Sequence, residues 1–137
     1  MESAKIKTAE ALAPVLSVFH SLGGQSLRGV RQFYTEGSLE QLILEFEQQI
    51  HLTIVADEND DSIDIAVSER NNPRNSGIDA SYMSPWKDFI GKPFGWGWVT
   101  VNQQGYCDGL LLSFGSIIPQ VVLNVRASSI KVGTLTL

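Results

Sequence analysis

Trp96, Trp98, Asn102, Gln104, Tyr106 and Asp108 fall within one short stretch and supply the side chains best suited to holding a ligand. Indole and phenol rings stack on flat or sugar-like molecules, while amides and a carboxylate add directional hydrogen bonds. Alternate residues of a strand share a face, so Trp96, Trp98, Thr100 and Asn102 line up together, with Val99 and Val101 opposite. A strand apolar on both faces is expected at the centre of its sheet. The competing reading makes the same stretch a structural corner: the rings are core, Gly95 and Gly97 make room for them, and Asp108 holds backbone. Packing accounts for most of these residues. Ligand binding would require the amides and Asp108 to converge with the indoles on one opening.

Other chemistry finds less support. The run Asp57-Glu58-Asn59-Asp60-Asp61-Ser62 places oxygen ligands at the first, third and fifth positions of a calcium loop. Ser62 then stands where that loop needs glycine, and Ser68 where it needs a bidentate glutamate. A solvated hairpin turn is the simpler reading. Cys107 has neither His20 nor His51 near it in sequence, and no nucleophile elbow is present, so it reads as a small buried apolar residue. Two histidines and one cysteine offer no zinc spacing. Gly91, Gly95 and Gly97 lack phosphate-loop spacing. No catalytic residue, metal or cofactor is expected.

The elements that must position these residues follow from apolar periodicity. Leu12, Val15, Leu16 and Phe19 have helical spacing, with Gly23-Gly24 beyond the end and His20 in the last turn. Strands are expected over residues 27–35, with a bulge at Gly29, and then around Leu42, Leu44 and Phe46. Ile50, Leu52 and Ile54 form the next, and Ile63, Ile65 and Val67 the one after. Residues 69–77 hold turn formers and read as a loop. Ser84-Pro85-Trp86 resembles a helix start, giving a short helix near residues 85–91. Strands over 96–103, 106–114, 120–126 and 129–137 complete the chain. Short connections favour antiparallel neighbours. The expectation is an α+β fold: an antiparallel meander sheet or partly open barrel of seven to eight strands, in a single domain over 1–137.

Composition bounds the function. At 137 residues, 43% of them hydrophobic and 18% charged, the chain can bury its own core. A net charge of −5 disfavours nucleic acid. No segment approaches the ~18 consecutive apolar residues of a membrane span. The mildly apolar N-terminal residues are interrupted by Glu10 and Pro14 and read as mature protein rather than a signal peptide. A single cysteine points to a reducing, cytoplasmic setting.

The motifs W-x-x-x-I-G-K, from Trp86 to Lys92, and N-Q-Q-G-Y-x-D-G, from Asn102 to Gly109, resemble small bacterial proteins grouped as a domain of unknown function. The resemblance covers the C-terminal third and implies a bacterial cytosolic setting without an activity. The expected function is therefore a non-enzymatic binding or protein-interaction module. A homodimer paired through residues 129–137 is one form of it, and an acidic, toxin-neutralising immunity protein is another. The alternative is a small-ligand binder or enzyme with an aromatic and amide-lined pocket at residues 96–108.

Overall fold

Alternating apolar residues build two antiparallel sheets in the computed structural model, which describes residues 2–6, 12–57, 62–68, 77–103 and 107–135. The elements in chain order are β1 (Glu2–Ile6), α1 (Leu12–Leu22), β2 (Leu27–Thr35), β3 (Ser38–Phe46), β4 (His51–Ala56) and β5 (Ile63–Ser68). They continue with β6 (Ile78–Asp79), β7 (Phe94–Val101), β8 (Cys107–Phe114), β9 (Val121–Arg126) and β10 (Ser129–Thr134). One sheet has the order β1-β5-β4-β3-β2-β6 and the other β10-β9-β8-β7. The class is α+β, as the periodicity predicts. The expected curved sheet divides in two, and no barrel closes among the described strands.

Tight turns set the registers. Glu36 and Gly37, with φ of 52° and 82°, reverse the chain between β2 and β3, and Gln48 and Gln49 do so before β4. Leu42, Leu44 and Phe46 then lie on the same face as Leu52, Ile54, Ile63 and Ile65. In the second sheet Leu110, Leu112, Phe114, Val121, Leu123, Val125 and Ile130 point inward. These faces and Val15, Val18, Phe19 and Leu22 of α1 form the hydrophobic core.

The sheets are joined at one corner. Gly24 N donates to Phe94 O (3.0 Å), Phe94 N to Gln25 O (2.8 Å) and Leu27 N to Lys92 O (3.0 Å). The start of β7 is thus tied to the start of β2, while β10 lies over β3 and β4. The second sheet therefore runs across the first.

Three expectations change. The helix near residues 85–91 is a single 3-10 turn, Trp86–Asp88, without a side-chain cap, and the Ser84–Pro85 peptide is cis. Burial of Trp86 and Phe89 in the core explains the apolar spacing that suggested a helix. The Trp-bearing strand β7 is outermost in its sheet rather than central, and α1 packs against it through Phe19 on Gly97. The N-terminal residues contribute β1, which pairs with β5.

The exposed side of β2 is closed piecewise. Gly91 N donates to Leu27 O (2.7 Å), Ala80 N to Val30 O (2.8 Å), and Val30 N to Ser81 Oγ (3.0 Å). Ser81 is held by the Asp79 carboxylate, which accepts from Ser81 Oγ (2.6 Å) and Ser81 N (3.0 Å). The Ser81 hydroxyl, then its N–H, and then the Arg31 charge hold the Asp79 carboxyl below its ordinary value, against the opposing effect of burial. A depressed folded-state pKa adds stability that is complete above the unfolded-state pKa and is lost as pH falls through the folded-state one. The denaturation midpoint of the wild type should therefore fall in acid below about pH 4. Asp79→Asn should flatten that part of the midpoint-versus-pH curve, and an unchanged acid limb would remove Asp79 from the account.

Candidate functional site

Register decides where the candidate ligand residues point. Trp96 pairs with Ser113, Trp98 with Leu111 and Thr100 with Gly109, whereas Gly97 pairs with Leu112 and Val99 with Leu110 of the core. Trp96, Trp98 and Thr100 therefore share the outer face of the second sheet, as alternation predicts. Trp98 continues across that face into Leu111 and Val122. Both indoles are half-buried. The Trp96 ring also lies 6.5 Å from Phe19, whose ring occupies the space a side chain at Gly97 would need.

Asp108 sits at the irregularity between β7 and β8. Thr100 Oγ1 donates to Asp108 Oδ1 (2.8 Å), and Asn124 Nδ2 reaches Asp108 O (3.4 Å). The carboxylate thus braces a β-bulge, the backbone role weighed against ligand binding above. Asn102 is half-buried just past the end of β7. Gln104 and Tyr106 lie outside the described residues, as do 58–61 of the acidic run. The flanks of that run behave as a hairpin: Asp57 N donates to Ser62 O (2.8 Å). Among the described residues no group of three His, Cys, Asp or Glu side chains could hold a metal.

His51 is buried on the outer face of the first sheet with Nε2 3.9 Å from Glu45 Oε2, on a different sheet from Cys107. Cys107 is fully buried, and burial, followed by the Asp108 charge, pushes its thiol up. The thiolate is the reactive form. Ellman's reagent should modify native Cys107 at least about 100-fold more slowly than the unfolded chain, and comparable rates would contradict its burial.

A feature not foreseen from the sequence lies at the other edge of the second sheet. Ala127 and Ser128, with φ of 51° and 61°, make a two-residue turn between β9 and β10. Such a turn is flanked by a hydrogen-bonded pair, here Arg126 and Ser129, and Leu135 N donates to Gln120 O (3.0 Å) in the same register. By ladder alternation the N–H and C=O groups of Ile130, Val132 and Thr134 point away from β9. Beside this edge is a groove of about 340 Å³, lined by Leu39, Ile130, Lys131 and Val132 and by Gln32 and Tyr34 of β2. Gln32 is only 7% exposed, and its Oε1 accepts from Tyr34 OH (3.2 Å). The sequence did carry a signal: Gln32 falls in step with Val30, so a polar residue occupies an inward position.

The sequence model of a family of unknown function (DUF6334) matches residues 13–136. The chain belongs to that family. The match reaches well beyond the C-terminal third that carries the two motifs, and it takes in α1 from its second residue, the tryptophan-bearing β7 and the whole of β10. No curated protein and no solved structure matches the chain. None of the described helices is long and apolar enough to cross a membrane.

Proposed function

We propose that this member of the family is a non-enzymatic cytoplasmic protein-interaction module that engages its partner at the open edge of β10. The observation that carries the reading is the row of outward backbone groups on β10, which adjoins a groove, whereas the side of β2 is covered by β6, Ser81 and Gly91. Unpaired edge groups are a template for another strand, and main-chain bonds of this kind supply affinity in strand-addition complexes. Neutralising a basic toxin is one use of such a module in a chain of net charge −5. A second reading, a small ligand on the outer face, draws on the row Trp98, Leu111 and Val122 beside Thr100 and Asn124. The engagement of Asp108 in the bulge makes it the weaker of the two.

The edge reading is tested with peptides. Short peptides enriched from a random display library on the folded protein would be titrated by fluorescence anisotropy. Thr134→Pro removes one outward N–H and none of the bonds to β9. It should weaken binding by about tenfold, the equivalent of one hydrogen bond, with the denaturation midpoint of the protein retained. Affinity unchanged by the substitution would defeat the proposal.

A further inference from the structure

We infer that the edge of β5 is a second strand-binding site, that β1 covers it as a displaceable strap, and that its ligand is an extended, basic segment of a partner protein. The family match begins at residue 13, so within the matched residues β5 is the outermost strand of the first sheet. β1 lies ahead of that match and is added antiparallel to β5, from Glu2 opposite Val67 to Ile6 opposite Ile63. Among the described residues no strand lies on its other side. β5 also makes six pairs with β4, from His51 opposite Ser68 to Ala56 opposite Ile63, and none of them involves β1. Release of β1 would therefore expose a row of N–H and C=O groups on a strand still anchored from its other side. Such a row is a template for another strand.

Register shows how well β1 fits that edge. On the face that β5 turns to the core, Ile63 and Ile65 are buried and Val67 is partly buried against it. β4 meets these three with Ala56, Ile54 and Leu52, an apolar residue each time. β1 brings Ile6, Ala4 and Glu2 to the same three positions. Directly opposite residues share a face, so a glutamate stands at a position whose neighbours serve the core. Along the alternate positions Lys5 is opposite Asp64 and Ser3 opposite Ala66. A base opposite Asp64 suits the acidic run from Asp57 to Asp61 that leads into β5 and the net charge of −5. The better occupant keeps that base and keeps a small residue opposite Ile65, where α1 lies against both strands. It carries valine or isoleucine where this chain has Glu2. Main-chain bonds are common to both strands, so side chains decide between them.

The probe is a fluorescein-labelled peptide of residues 1–7 carrying Glu2→Val, and the test protein is the full chain with Ser3→Cys and Ala66→Cys. Those positions are directly opposite, within the span a disulfide bridges, and the native Cys107 is buried. Reduced, this protein should bind the peptide as the wild type does. Oxidised, with β1 locked to β5, it should lose at least about 100-fold in affinity, because the competent state is no longer populated, and dithiothreitol should restore binding. Lys5→Glu in the otherwise native chain sets like charges opposite each other and should raise affinity about threefold or more. Thr134→Pro lies at the other edge and should leave this peptide unaffected, which keeps the result separate from the β10 reading. Binding that survives oxidation, that is unmoved by Lys5→Glu, or that is lost in Thr134→Pro overturns the inference, as does no binding to the reduced proteins. Disulfide-linked dimers in place of locked monomers would give the edge to β1 of a second copy and overturn it too.

Discussion

Phe94→Ala is expected to destabilise the protein by about 3–5 kcal/mol, the usual cost of emptying a phenylalanine site in a core. Phe94 is 2% exposed, with ring centroids of Phe114, Phe46 and Phe19 at 5.8, 6.0 and 6.1 Å. Those rings come from β8, β3 and α1, so one side chain joins both sheets and the helix. The Phe46 and Phe114 rings meet it edge-on, a geometry that adds to simple area burial. The backbone bonds of Phe94 to Gly24 and Gln25 survive the substitution, which isolates the contribution of the ring. Chemical denaturation gives the value directly, and a loss below about 1 kcal/mol would mean that the corner is held by backbone pairing instead.

Gly109→Ala should cost about 1–3 kcal/mol although it adds a single methyl group. A Cβ there would stand 2.5 Å from Leu123 O and 2.7 Å from Thr100 Oγ1. The two obstacles differ in kind. Thr100 can rotate away, at the expense of its bond to Asp108, whereas the Leu123 carbonyl belongs to the β8–β9 ladder and moves only if the strands do. In the Thr100→Ala background the methyl should therefore recover part of its cost and never all of it. A double-mutant cycle separates the two shares. Full recovery would place the entire conflict in the side chain and contradict the backbone clash.

The alternation of Leu42, Leu44 and Phe46 against Glu45, and of Val121, Leu123 and Val125 against Asn124, was legible because each strand buries one face. The same rule assigned Trp96, Trp98 and Thr100 to one side of β7. Position within a sheet was not legible. Val99 and Val101 suggest a central strand, but β7 is the edge of its sheet and Val101 is exposed. Proline at position 85 with apolar residues at 86, 89 and 90 fits a helix or a wound loop equally well. Only the burial of Trp86, whose Nε1 has no hydrogen-bond partner among the described residues, shows which. The proposed site was hidden for a related reason. Gln32 lies within β2, while the strand that completes its groove is about one hundred residues further on, and no local pattern links them.

Joining the sheets at one corner and leaving the opposite edge open gives the fold a mechanical polarity. Backbone bonds and four aromatic rings clamp the end where β2 meets β7, while among the described residues no backbone bond joins β10 to β3 or β4 beneath it. Local opening begins where cooperative bonds are fewest. The molecule should therefore behave like a jaw hinged at Phe94, its bite at β10 able to widen around a guest while the hinge stays shut.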